Sequence, residues 1–131
     1  MLAIPVTRTE PPLAEQVRAA VAAGADVVEL RVDCLGDVGA VEVLLRGPRP
    51  VPYIVTVRHV DEGGQWDGGD DERVALIERL GLLRPGYVDV ELATWRRSAN
   101  VRQKIGLVCE TSGAAAAGTR AKNRLILSHH D

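Results

Sequence analysis

The stretch Asp26-Val27-Val28-Glu29-Leu30-Arg31-Val32-Asp33 decides the fold. Residues 26–32 read as a β-strand, because β-branched and apolar residues dominate and no glycine or proline interrupts them. Side chains alternate across a strand. Val28, Leu30 and Val32 therefore share one face, and Glu29, Arg31 and Asp33 share the other. An apolar face suits helices packed on one side of a parallel sheet. Polar groups gathered toward the carboxyl end of the opposite face suit a site, since α/β enzymes build their sites there.

The same pattern repeats on both sides of this segment. Residues 2–7 (LAIPVT), 51–58 (VPYIVTVR), 86–92 (GYVDVEL) and 124–129 (RLILSH) read as four further strands. Between them lie helical periodicities. Leu13, Val17, Ala20 and Val21 form one apolar face, started near Thr9 or Glu10 with Pro11 and Pro12, and ended by Gly24. A second helix runs from Val38 to Arg46, with Asp37 near its start and Pro48 and Pro50 beyond its end. Val41, Leu44 and Leu45 are its buried side. A third carries Val74, Ile77 and Leu80, with Asp70 or Asp71 as its cap. Asn100 is placed to cap a fourth, carrying Val101, Ile105 and Val108. The alanine-rich segment 112–119 (SGAAAAGT) reads as a second helical piece or a loose insertion. Residues 59–70 (HVDEGGQWDGGD) read as a long, mobile loop. The order βαβαβαβαβ implies an α/β fold of about five parallel strands.

The chain has 131 residues, 16 basic and 18 acidic, for a net charge of −2. That length predicts one domain spanning 1–131. It is short of the roughly 200 residues a complete (β/α)8 barrel needs. A pI near 5.9 argues against a nucleic-acid partner. No apolar run reaches the 18 or so residues needed to span a bilayer, and the N-terminus lacks a signal-peptide pattern. No membrane partner is expected. Cys34 and Cys109 show neither a close pair nor metal-ligand spacing, so they read as reduced thiols of a cytoplasmic chain.

The strand ends carry the functional signal. Ile54, Thr56 and Arg58 share a face, as do Asp89 and Glu91, and as do Ile126, Ser128 and His130. With Glu29 and Arg31 they place charge on one common face of four strands. A purely structural account would pair Glu29 with Arg31. Repetition favours a site, because buried charge is costly unless paired or used. A zinc or magnesium site from His130, Asp33 and Glu29 would have arginines beside the cation, and its spacing is not diagnostic. Arginines, carboxylates and a histidine together suit an anionic, hydroxylated small molecule. His59 lies in the loop, and Trp66 either packs over the loop base or covers a pocket. His129 points toward the helices by alternation and is assigned no chemistry.

Four segments resemble the type I 3-dehydroquinate dehydratases: ELRVD at 29–33, TVRHVDEGG at 56–64, YVDVEL at 87–92 and ILSHHD at 126–131. They follow predicted strands and occur in the family's order. The resemblance implies a (β/α)8 barrel, of which this chain would be the first five strands, an incomplete TIM barrel. It implies dehydration of 3-dehydroquinate to 3-dehydroshikimate, a shikimate-pathway lyase reaction, through a lysine Schiff base with no metal or organic cofactor. It also implies that His130 is the catalytic histidine and that Glu62, the loop glutamate four residues after Arg58, is catalytic as well. Glu29, Arg31 and Arg58 would contact the substrate, and Asp89 and Glu91 would shape the barrel floor.

The resemblance places the Schiff-base lysine on the strand after His130, beyond Asp131. Lys104 and Lys122 are the only lysines, and both precede the fifth predicted strand. The expectation is that the isolated chain is inactive, that edge strands leave apolar surface exposed, and that it self-associates or pairs with a complementing C-terminal half. Two other readings stay open. One is a non-catalytic α/β fragment acting by association. The other is a different anion-binding or metal-dependent barrel enzyme.

Overall fold

A computed structural model describes residues 1–110 and 123–130. The apolar strand cores pair in parallel throughout. The strands are β1 (Ala3–Val6), β2 (Val27–Arg31), β3 (Tyr53–Thr56), β4 (Gly86–Glu91), β5 (Cys109–Glu110) and β6 (Asn123–Ser128), in the sheet order β1-β2-β3-β4-β6-β5. The five predicted strands are all present. The structure adds β5, a two-residue strand beside the start of β6, pairing Cys109 with Asn123.

Helices α1 (Leu13–Ala22), α2 (Val32–Leu35), α3 (Val38–Arg46), α4 (Asp70–Gly81), α5 (Leu92–Arg97) and α6 (Ala99–Gly106) connect the strands. The apolar stripes meet the sheet as their spacing requires. Val28, Leu30, Val55, Val57, Val88 and Val90 share one core with Leu13 and Val17 of α1, Val41 and Leu45 of α3, Ile77 and Leu80 of α4, and Ile105 of α6. Each such side chain contributes about 1.5–3 kcal/mol relative to exposure. Val27 and Ile54 are also buried, yet stand outside that core on the opposite face. The sheet is therefore covered on one side, and its other side carries the polar strand ends.

Several local expectations are corrected. The first helix starts after its proline pair, at Leu13, with Pro12 as the preceding residue. The end of the 26–33 segment turns into the short helix α2 instead of continuing as strand. Gly69, not an aspartate side chain, precedes α4, because Asp70 is occupied by Arg73 and Arg97. Ser98, not Asn100, caps α6 by accepting from the amide of Val101. The segment 59–69 folds as a hydrogen-bonded turn, and Asp70 already belongs to α4. It holds a 3-10 turn (Val60–Glu62) and a bridge between His59 and Trp66. The alanine-rich segment 112–119 lies outside the described residues.

Asn123 pins the lower end of the sheet. Its side chain accepts from the amide of Gly86 at 3.0 Å and donates to the carbonyls of Gly81 at 2.7 Å and Val108 at 2.9 Å. At the other end of β6, Leu127 is 43% exposed on the helix-facing side. Among the described residues, no helix is long and apolar enough to cross a membrane.

Candidate functional site

Strand register aligns the polar residues in rows. Glu29 pairs with Ile54, Arg31 with Thr56, Thr56 with Asp89, and Glu91 with Ser128. The Thr56 hydroxyl donates to Glu29 Oε2 at 2.8 Å. Arg58, just past β3 and 5% exposed, donates from Nη1 to Ser128 Oγ at 3.0 Å. Ser128 Oγ in turn donates to Asp89 Oδ1 at 2.6 Å, and Arg58 Nη1 lies 3.6 Å from the same oxygen. One serine hydroxyl thus joins a buried guanidinium to a buried carboxylate across three strands. Burial pushes the Asp89 carboxyl above its ordinary range, and the Ser128 bond and the Arg58 charge only partly offset this.

At the end of β2, the pairing of Glu29 with Arg31 does not form. Arg31 turns to Asp33 in a two-point contact, Nε to Oδ1 at 3.1 Å and Nη2 to Oδ2 at 2.8 Å. Asp33 Oδ2 also accepts from the amide of Gln65 at 3.0 Å, which ties β2 to the β3–α4 loop. Burial alone would raise the Asp33 carboxyl. The Arg31 guanidinium and the amides of Arg58 and Gln65 outweigh it and hold the carboxyl below its ordinary value. A carboxyl depressed in the folded state contributes stability above its unfolded pKa, and that contribution is lost as pH falls through the folded value. Asp33→Asn should therefore cost stability most at neutral pH. The gap to the parent chain should narrow as urea melts are repeated from about pH 6 down into the acid range below about 4. A gap constant with pH would rule this out.

The β3–α4 loop folds back onto Arg58. The amide of Trp66 donates to the Arg58 carbonyl at 3.0 Å, and that of Val60 to the Trp66 carbonyl at 2.9 Å. Only glycine fits at position 64, where a Cβ would stand 2.1 Å from the Arg58 carbonyl oxygen and 2.4 Å from its Cγ. Gly64→Ala should force the loop off Arg58 at a cost of about 1–3 kcal/mol or more. A chemical melt measures that cost, and an unchanged midpoint would contradict the close approach.

The loop's tip reaches the end of β6. Glu62 Oε1 accepts from the backbone amide of His130 at 2.9 Å. Glu62 and His130 border a cleft of about 500 Å³ together with His59, His129, Arg73, Glu91 and Arg97. His59 Nδ1 accepts from the amide of Asp61 at 3.1 Å, so that nitrogen is used within its own turn. Trp66 packs against the core at the loop base and donates from Nε1 to the Gly69 carbonyl at 3.3 Å.

Glu91 stands apart from its strand neighbour Asp89. Its Oε2 takes Arg73 Nη1 at 2.6 Å, and its Oε1 accepts from the amide of His59 at 2.8 Å. Sequence reading missed Arg73. The available signal was a charge in line with Ile77 and Leu80, on the apolar stripe of α4.

A family model for type I 3-dehydroquinase matches residues 2–131. A 3-dehydroquinate dehydratase of Methanosarcina mazei is 37% identical over 98 residues, covering 70% of this chain and 40% of that protein. One of Methanosarcina acetivorans is 32% identical over 129 residues, covering 93% and 48%. The crystal structure of the 3-dehydroquinate dehydratase from Aquifex aeolicus VF5 is similar at a TM-score of 0.63 and 29% identity, over 82% of this chain and 48% of that one. The chain spans less than half the length of these relatives.

Proposed function

The chain belongs to the type I 3-dehydroquinase family, and from that premise we propose that residues 1–131 form one barrel-type domain carrying the substrate-binding and proton-moving part of a 3-dehydroquinate dehydratase site. The substrate is a cyclic carboxylate with hydroxyls and a ketone. Its dehydration removes a proton from carbon next to the carbonyl and a hydroxyl from the next carbon, giving 3-dehydroshikimate and water. Arg31 and Arg58 supply cationic donors for the carboxylate and hydroxyls, and Glu29 supplies an acceptor. His130, at the end of β6 beside Glu62, moves the protons. Glu62 steadies the His130 backbone, and Asp89 and Glu91 hold the surrounding polar groups.

The observation that most supports this reading is the Glu62 contact to the His130 amide at 2.9 Å. It joins residues 68 positions apart in the sequence, each belonging to a different one of the four motif segments. Glu29, Arg31 and Arg58 occupy neighbouring strand ends, as a shared ligand requires.

The imine-forming lysine belongs to a strand outside these residues in this reading. Lys104 lies on α6, in the helical layer, and Lys122 lies outside the described residues. The lysine would come from the same reading frame, or from a separate polypeptide that completes the sheet. A cytoplasmic location goes with this reading.

Isothermal titration of the 131-residue chain with 3-dehydroquinate tests the reading. Saturable binding that Glu29→Gln weakens is expected, and no binding at millimolar ligand would overturn it. Borohydride reduction in the presence of 3-dehydroquinate is expected to add no mass to the chain. An adduct on Lys104 or Lys122 would overturn the assignment of the lysine to another strand.

A further inference from the structure

We propose that Arg73 is a positioning residue that acts through Glu91 to hold the β3–α4 loop, and hence Glu62, against the end of β6. The inference rests on the reading of Glu62 and His130 as the proton-moving pair.

Arg73 sits in the first turns of α4 and is 2% exposed. Its stripe on the helix is otherwise apolar, and an aliphatic side chain there would avoid burying a charge. The guanidinium instead reaches four groups on four separate segments. Nη1 donates to Glu91 Oε2 at 2.6 Å and to the Val57 carbonyl at 3.4 Å. Nη2 donates to Thr94 Oγ1 at 2.6 Å and to Asp70 Oδ1 at 3.1 Å. The ends of β3 and β4, and the starts of α4 and α5, are thereby tied to one planar cation.

Glu91, 4% exposed, passes that position on. With Oε2 occupied by Arg73, the carboxylate plane aims Oε1 at the amide of His59, 2.8 Å away. His59 is the first residue after Arg58 and the start of the turn that carries Glu62. The turn closes on itself through the amides of Val60 and Trp66. Its anchors outside itself include the His59 amide on Glu91 and the Glu62 carboxylate on His130. Releasing Glu91 from Arg73 frees that carboxylate to rotate, and the loop then loses the anchor nearest its root. Arg73 borders the same cleft as Glu62 and His130 but contacts neither of them in the described network. Its effect on the pair runs through the loop.

Amide hydrogen exchange by NMR on the 131-residue chain separates this role from general stabilisation. Arg73→Met should speed exchange at His59, Val60 and Trp66 by about tenfold or more, and leave the strand amides of Val55 and Val88 within about twofold. Arg73→Lys, which keeps the charge but not the fork, should recover part of the protection. Should Arg73→Met not fold, Glu91→Gln carries the same test, because it keeps the side chain's size while weakening its hold on Arg73. Unchanged loop amides, or acceleration of loop and strand amides together, would overturn the proposal. Titration with 3-dehydroquinate distinguishes the two layers. A parent chain that fails to bind while the loop loosens as expected overturns the functional reading alone. A parent chain that binds, with loop exchange unmoved in the variants, overturns the positioning role alone.

Discussion

Arg58→Ala should lower the affinity for 3-dehydroquinate by about 100-fold and destabilise the chain by about 3 kcal/mol or more at neutral pH. Both effects follow from one guanidinium. Arg58 is buried, reaches Ser128 directly and lies 3.6 Å from the Asp89 carboxylate. A charge-assisted hydrogen bond to a ligand carboxylate is worth about 1.5–3 kcal/mol, or roughly 10- to 150-fold in binding. Removing the cation leaves Asp89 buried with the Ser128 hydroxyl as its hydrogen-bond donor, Glu29 acting to raise its pKa further and His130 to lower it. Asp89 already has its pKa raised by burial, and losing Arg58 raises it further. A carboxyl raised in the folded state removes stability as pH climbs through its titration, because the charged form is the penalised one. The deficit of the variant should therefore be larger at neutral pH than in acid, where Asp89 becomes neutral. Urea melts at neutral and acid pH, with calorimetric titration at neutral pH, measure both effects. Equal deficits at both would show that Asp89 does not depend on Arg58. Unaltered affinity would remove Arg58 from the binding face.

Asn123→Ala should cost about 2–4 kcal/mol, the largest loss expected from any residue outside the candidate site. The buried amide serves three backbone groups at once. The Gly86 amide has the Asn123 side chain as its acceptor, while the Gly81 and Val108 carbonyls each receive another backbone donor. The penalty is thus one orphaned amide, two weakened carbonyls and the void left by the side chain. Asn123→Asp should be worse still at neutral pH, since it replaces a donor with a charge facing two carbonyl oxygens. Its deficit should shrink in acid, when the new carboxyl regains a proton to donate. A thermal melt at pH 7 and pH 4 checks the order. If alanine is tolerated within about 0.5 kcal/mol, β6 is held by its strand pairing alone.

Much of the fold was legible in the sequence because strand alternation and helix periodicity are local signals. Val28, Leu30, Val55, Val57, Val88 and Val90 face the helices as their parity requires. Three of the four motif segments bring Glu29, Arg31, Arg58 and Asp89 to one end of one face, as the same parity predicts. Parity failed where the chain leaves the strand. Asp33 belongs by alternation with Glu29, but α2 begins at Val32 and turns its carboxylate onto Arg31 and the Gln65 amide. Glu91 shares its strand face with Asp89, yet ends on Arg73. Glycine and acid content made 59–70 read as mobile. Its turn geometry rests on backbone bonds within the loop and on Glu91 and Asp33, which are far away in the chain.

The sequence by itself determined the alternation of elements, the apolar face of each, and which charged residues stand at strand ends. These follow from spacing within a few residues, where backbone geometry leaves little choice. Only the tertiary structure decided which charges pair. Arg31 took Asp33 rather than Glu29, Arg58 joined Asp89 through Ser128, and Arg73 entered the network from an otherwise apolar stripe. An ion pair depends on distances of a few ångströms between residues up to 70 positions apart, and no local periodicity encodes that separation.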